Sequence, residues 1–146
     1  MDVTSVYYPM QSMIPSSVDA TTISFPWNLP ANQSGGYANY DILTTAMGLS
    51  QPVMINFNFV HPLSKVRVEL VSDEFTLAEL AGASVTLNNL RLNGVVNLPS
   101  GTALPSGAAA ASIVPQTDTE GSKYSALVMP STVTSGTTIV TVRLVE

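Results

Sequence analysis

Residues able to do chemistry are few in this chain of 146 residues, and that narrows the reactions it could perform. His61 is the single histidine, and there is no cysteine. A zinc site needs several histidine, cysteine or carboxylate ligands brought together, and a chain without cysteine has neither disulfides nor thiolate nucleophiles. Asp73 and Glu74, the one adjacent acidic pair, suit a solvated turn before a helix. We therefore expect no metal, no cofactor and no enzymatic activity.

Counting alone does not exclude a serine–histidine–acid triad, because His61 is accompanied by many serines and ten acidic residues. A triad depends on geometry, however, and neither a G-x-S-x-G elbow nor a glycine-rich phosphate loop is present. His61 instead precedes Pro62 between two segments that alternate apolar and polar residues in opposite phase. A strand changes its buried face only at a bulge or bend, where proline is tolerated. We expect His61 and Pro62 to form a structural corner, with a hydrolase as the alternative.

The elements that must position these residues are mostly strands. Short β-rich segments alternate with turns of proline, glycine and asparagine about every ten residues, which is typical of an all-β sandwich or barrel. One short helix is predicted over residues 75–82, with Thr76 as its N-cap and Glu79 as the capping-box partner. Residues 99–107 are expected to form a loop. Strands are predicted over 3–8, 20–25, 53–59, 65–70, 84–90, 94–98, 108–114, 123–129 and 137–146.

The charge balance excludes two classes of partner. Charged residues make up 10% of the chain and the net charge is −5, whereas phosphate binding requires clustered lysine and arginine. We expect no nucleic-acid partner. No run of about 18 apolar residues is present, so no membrane insertion of this chain is expected either.

Aromatic residues are dense in the first forty positions, and they could serve a ligand. Exposed rings around Trp27 and Tyr37 would indicate a glycan-binding surface module, whereas buried rings would cover a domain face or a strand seam, and we favour the latter. Asn32, Gln33 and Ser34 fit the glycosylation pattern, which is too short to mean much. A virion decoration protein is a further alternative, because sandwiches of this size serve there too.

Several segments in the same order resemble the fimbrillin-like family, the pilins (fimbrial subunits) of Bacteroidales. The segment FNFVHPLSKVRVEL is similar to that family's F-x-H-x-L-S-K strand, and the other segments resemble its linker and its later strands. Together they cover residues 6 to 145. The segments are VYYP (6–9), NQS…YDILTTA (32–46), FNFVHPLSKVRVEL (57–70), LAGASVTLNNL…GVVNLPSGT (80–102) and YSALVMPSTVTSGTTIVTVRL (124–144).

The resemblance implies a transthyretin-like Greek-key β-sandwich with one short helix, exported to the bacterial cell surface as part of a fimbrium associated with the outer membrane. It implies that subunits assemble by donor-strand exchange, so that the partners are other pilin subunits and a host or bacterial surface receptor. Residues 1–28 resemble the end of a preceding domain, 29–50 a linker, and 51–146 a sandwich domain lacking a final strand. The strand-exchange segment would contain Thr137, Ile139, Val140, Val142 and Leu144.

This sequence departs from the family pattern in three ways. It is too short for both domains of a typical pilin, and it contains no lipobox cysteine. No arginine or lysine precedes Lys65, so the usual processing site after a basic residue is missing. A signal and a lipobox are therefore expected outside this chain. Because the final β-rich stretch could also be the last strand of its own sheet, both readings of residues 137–146 stay open.

Overall fold

The computed structural model describes residues 24–45, 59–97, 100–110, 112–118 and 121–144. Within these ranges the chain forms ten strands, one short helix and one 3-10 turn at Ala38–Tyr40. The predicted strand over 3–8 and most of the one over 53–59 lie outside the described residues. The elements are β1 Ser24–Asn28, β2 Thr44–Thr45, β3 Phe59–Val60, β4 Ser64–Glu69, α1 Leu77–Ala81, β5 Ser84–Leu87, β6 Asn93–Asn97, β7 Thr102–Pro105, β8 Gln116–Thr117, β9 Lys123–Val128 and β10 Val140–Arg143.

These strands form antiparallel sheets that share one core. Their orders are β1-β6-β7, β4-β9-β8, β10-β5 and β2-β3. Single bridges extend the β10-β5 pair, because Leu87 and Ile113 exchange backbone hydrogen bonds of 3.0 and 2.7 Å. The expected all-β sandwich with one short helix is confirmed. None of the helices within the described ranges is long and apolar enough to cross a lipid bilayer.

The core follows from alternation along each strand. Phe25 of β1, Val96 of β6 and Ala103 of β7 lie in one cross-strand row and are all buried. Their neighbours along the strands face outward, as the two-residue period requires. From the facing sheet, Ala126 and Val128 of β9 join the same apolar cluster. The buried faces of several sheets therefore meet in one core.

Helix α1 is positioned by the signals that its sequence predicts. Thr76 caps it and accepts a hydrogen bond from the Glu79 N–H, while the Glu79 carboxylate accepts one from the Thr76 N–H at 2.8 Å. The Thr76 N–H, and then its hydroxyl, lower the pKa of Glu79 because they stabilise the charged carboxylate. Gly82 ends the helix. Both the capping box and the stop at Gly82 are therefore confirmed.

The structure corrects the loop expected over residues 99–107. Residues 102–105 form β7, which pairs with β6 as a hairpin. Gly101 turns the chain with a φ of +64°, a conformation that glycine adopts without steric cost. The Asn97 side chain accepts hydrogen bonds from the Ser100 N–H and hydroxyl and so closes the turn. Pro105 is tolerated because it lies at the end of an edge strand.

The first described strand is part of the sandwich itself. Residues 24–28, which resemble the end of a preceding domain, pair with β6 along their whole length. Phe25 and Trp27 from this strand lie in the core, with their rings in edge-to-face contact at 5.9 Å. Ile42, from the segment expected to be a linker, is buried in the same cluster. Residues 1–23 and 46–58 lie outside the described residues, so the remaining domain boundaries stay predictions.

Candidate functional site

Within the described part of the chain, strand β10 forms an edge with an uncovered apolar face. Among those residues it pairs with β5 on one side only, with Val140 opposite Leu87 and Val142 opposite Val85. Directly opposed residues of an antiparallel pair project to the same face. The β5 members, Val85 and Leu87, are buried in the core, yet Val140 is 37% and Val142 is 42% exposed. As far as the described residues extend, the inward face of the sandwich is therefore open at this strand.

The backbone of β10 presents hydrogen-bonding groups at the same place. The Asn88 N–H donates to the Ile139 carbonyl at 2.7 Å, which fixes the hydrogen-bonding phase of the β5–β10 ladder. Given the alternation of an antiparallel ladder, Thr141 and Arg143 turn their N–H groups toward β5, and Val142 turns its own away. We call this outward side of the strand the β10 edge. It combines exposed valines with backbone groups that have no partner among the described residues.

The five residues predicted to take part in strand exchange lie along this edge and the segment that leads to it. Val140 and Val142 belong to β10, and Leu144 follows it and is exposed. Ile139 is half-buried against the core, and the Thr137 N–H donates to the Thr134 carbonyl in the preceding turn. The structure thus places all five residues along one segment whose ladder partner is β5. Their role in exchange stays a prediction.

His61 and Pro62 lie between β3 and β4, where the chain passes from one sheet to another. Pro62 is buried, whereas the His61 side chain is 59% exposed. The His61 Nδ1 atom lies 2.9 Å from an Asp41 carboxylate oxygen, which ties the corner to the segment before β2. No serine hydroxyl in the described part of the chain is hydrogen-bonded to His61. The arrangement suits a corner, and that structural role stays a prediction.

The aromatic residues do not form an exposed platform around Trp27. Trp27 is 5% exposed, and its indole N–H donates to the Tyr40 carbonyl at 3.2 Å. Tyr37 is half-buried, and its hydroxyl lies 3.1 Å from the Ser125 hydroxyl. Trp27 therefore does not contribute to a glycan platform, because its ring fills the core. No group of three or more histidine or carboxylate side chains in the described ranges could hold a metal.

Gln33 is the structurally important residue that the sequence did not reveal. It is 1% exposed. Its side-chain amide forms the pair of hydrogen bonds with the Leu127 backbone of β9 that a neighbouring strand would otherwise form. The Leu127 N–H donates to Gln33 Oε1 at 2.8 Å, and Gln33 Nε2 donates to the Leu127 carbonyl at 2.9 Å. Because β8 pairs with β9 only up to Ser125, Gln33 completes the edge beyond it. The one available signal was its place in the NQS segment.

Tyr124 anchors the start of β9 near helix α1. Its hydroxyl lies 2.9 Å from the carbonyl oxygens of both Ala83 and Gly121, so its proton is shared between two acceptors. Burial, and then the nearby Asp118 carboxylate, raise the pKa of Tyr124 because both disfavour a phenolate. The tyrosine is therefore a neutral donor that fixes the start of β5 to the turn before β9.

Comparison with known proteins gives a family and a related structure. The sequence model of the fimbrillin-like family matches residues 4–145. A crystal structure of a candidate cell adhesion protein from Bacteroides uniformis is 21% identical, with a TM-score of 0.63 over 89% of this chain. The present chain spans 50% of that protein's length, and the likeness supports the fold. No curated protein sequence matches the chain. Since the family match extends over almost every residue, the chain belongs to the fimbrillin-like family.

Proposed function

We propose that the chain is a structural or adhesive subunit of a bacterial cell-surface fimbria, and that neighbouring subunits join by β-strand exchange. Family membership over residues 4–145 supports the fimbrial role. The partners are then other pilin subunits, together with a receptor on a host or bacterial surface. The location is the outer-membrane-associated fimbrium of a Bacteroidales bacterium. The proposal assigns no catalytic step to any residue.

The β10 edge is the observation that carries this proposal. A strand laid beside β10 would accept and donate hydrogen bonds at Val142, whose N–H and carbonyl point away from β5. Its inward side chains would cover Val140 and Val142, which share a face with the buried Val85 and Leu87. Strand addition of this kind supplies affinity through the main chain and selectivity through alternate side chains. In this arrangement β10 accepts the strand of a neighbouring subunit.

The test is a proline substitution that removes only the outward donor. Val142→Pro removes an N–H that β5 does not use, so the chain should still fold, since proline is tolerated on such an edge. We expect thermal unfolding near that of the wild type and a loss of filaments. Filaments are counted by negative-stain electron microscopy on cells that carry the variant as their source of this subunit.

Two matched variants separate the possible causes. Arg143→Pro removes a donor that β5 does use, so it should lower the unfolding temperature. Val142→Ala keeps the N–H and removes only apolar surface, so it should weaken assembly less than proline does. Normal filament numbers from folded Val142→Pro subunits would rule out strand addition at this edge.

A further inference from the structure

A cationic pocket lies on the outer face of the β4-β9-β8 sheet, away from the β10 edge. It has a volume of about 400 Å³ and is half open to solvent. Three of the chain's five basic residues line it, although the chain as a whole carries a net charge of −5. The cations are Lys65, Arg67 and Lys123. Such a concentration is a local property of this face and does not reflect the bulk charge.

The register of the sheet explains why these groups converge. Arg67 of β4 lies opposite Ser125 of β9, which lies opposite Gln116 of β8, so the three form one row across the pocket. The side chains of one row on one face of a sheet lie about 5 Å from their neighbours. A guanidinium, a hydroxyl and a carboxamide therefore face solvent side by side. All three line the pocket.

One wall of the pocket is built from an aromatic ring and a fixed cation. The Lys65 ammonium lies 5.1 Å from the centre of the Tyr37 ring, within the range of a cation–π contact. The Tyr37 hydroxyl lies 3.1 Å from the Ser125 hydroxyl at the floor. Lys65 and Arg67 form no ion pair with another of the described residues. The Lys65 charge is thus held by the ring, and neither cation has a carboxylate partner in that part of the chain.

Acidic groups lie on the opposite side of the pocket. Asp118 is the one carboxylate that lines it, and one of its oxygens accepts a hydrogen bond from the Lys123 backbone N–H at 3.2 Å. Glu69 lies opposite Lys123 in the ladder. Glu69 also lies beside Arg67 but does not line this pocket. Lys65 is the basic residue of β4 farthest from Glu69, so the place for an anion is between Lys65 and Arg67.

We propose that this pocket binds a saccharide that carries a carboxylate. Arginine suits a carboxylate because its planar guanidinium donates two parallel hydrogen bonds. Ser125 and Gln116 offer donors and acceptors for sugar hydroxyls. The volume lies in the range of small-molecule sites. This inference does not depend on strand exchange, because the pocket and the β10 edge lie on different sheets.

The test is an NMR titration of the full chain with a matched pair of sugars. Lactose and 3′-sialyllactose differ by one acidic residue. We expect the acidic sugar to shift the backbone amide resonances of Arg67, Ser125 and Gln116 in a saturable way, and lactose to leave them in place. Acetate at equal ionic strength tests for a simple anion site. Equal responses to the two sugars, or an acetate response as strong as that of sialyllactose, would overturn the proposal.

Variants locate the binding on the chain. Arg67→Gln keeps a polar amide at this position but removes the charge and the forked set of N–H donors, and should weaken binding at least about tenfold. Lys65→Ala should also weaken it, whereas Arg143→Ala, an exposed cation on β10, should not. Trp27 fluorescence verifies that each variant is folded.

Two further results would refute the proposal. One is an unchanged affinity for sialyllactose in folded Arg67→Gln. The other is that the wild-type chain binds no acidic sugar but self-associates, and that Arg67→Gln abolishes this self-association. In that case the face contacts a second copy of the chain. Rising ionic strength should weaken the binding of the acidic sugar, since exposed charges are screened by salt.

Discussion

Replacing Gln33 with leucine should destabilise the sandwich strongly, although the two side chains have similar volumes. The substitution leaves two buried groups, the Leu127 N–H and carbonyl, without their partner, and it also removes the hydrogen bond to the part-buried Pro30 carbonyl. Each orphaned group costs about 1–3 kcal/mol, so the two together cost about 2–6 kcal/mol, and the greater hydrophobicity of leucine offsets about 1 kcal/mol of this. We expect a net loss near 3 kcal/mol, a large share of the 5–15 kcal/mol typical of a domain.

The single tryptophan makes this loss measurable by urea denaturation. Trp27 is buried in the core, so its fluorescence reports global unfolding. A loss of 3 kcal/mol should lower the melting temperature by roughly 9–15 °C in a domain of this size. Exposed Asn39, in the same connection, provides the control, and Asn39→Ala should change the stability by less than about 0.5 kcal/mol.

A glutamate at the same position tests the hydrogen-bond argument separately. Gln33→Glu keeps the shape of the side chain but gives an ionised carboxylate that cannot donate to the Leu127 carbonyl. Burial raises the pKa of such a carboxyl, so stability should fall as the pH rises through that value and recover on acidification. A loss below 1 kcal/mol in Gln33→Leu, or Gln33→Glu stability that does not vary with pH, would refute the view that Gln33 replaces a strand.

Two other predictions concern the core and the start of β9. A Cβ atom on Gly94 would lie 2.5 Å from the Leu104 carbonyl oxygen, so Gly94→Ala should cost about 1–3 kcal/mol in urea denaturation. Gly35→Ala, whose Cβ meets nothing within 4 Å, should be neutral or slightly stabilising, and equal effects of the two would contradict the steric argument. Tyr124→Phe should cost about 1–3 kcal/mol by removing the donor to Ala83 and Gly121. The folded state raises the pKa of Tyr124, so the stability that its hydroxyl contributes is complete below the ordinary pKa of 10.0 and is lost as the pH rises through the higher folded value. An alkaline unfolding curve identical to that of Tyr124→Phe would contradict this prediction.

Local signals were predictable from the sequence. The helix was predicted from residues within one turn, because Thr76 and Glu79 satisfy each other's backbone groups without any distant partner. The alternation of apolar and charged residues also predicted which side chains of β4 point inward, namely Val66 and Val68, while the charged residues point outward. Strand β7 was missed because proline and glycine flank it, and only pairing with β6 makes it a strand.

Long-range arrangements were not predictable in the same way. Gln33 and Leu127 are 94 positions apart, and nothing in either neighbourhood indicates that an amide will replace a strand. Lys123 joins Lys65 and Arg67 only because β9 lies beside β4 in a particular register. A sequence without clustered bases therefore still produces a cationic pocket. Charge counts along the chain describe bulk behaviour and not the faces of a folded sheet.

Comparison of the sheet edges explains why assembly would favour β10. Edge strands are protected from unwanted pairing by proline, by charge or by short length. The edges of the β1-β6-β7 sheet contain Pro26 and Pro105, and β4 carries alternating charged residues on its outer face. Strands β2, β3 and β8 are only two residues long. Strand β10 has neither proline nor an apolar face that is covered, so it is less protected than these other described edges. A chain with few charges can assemble selectively when one edge is left open and the others are blocked.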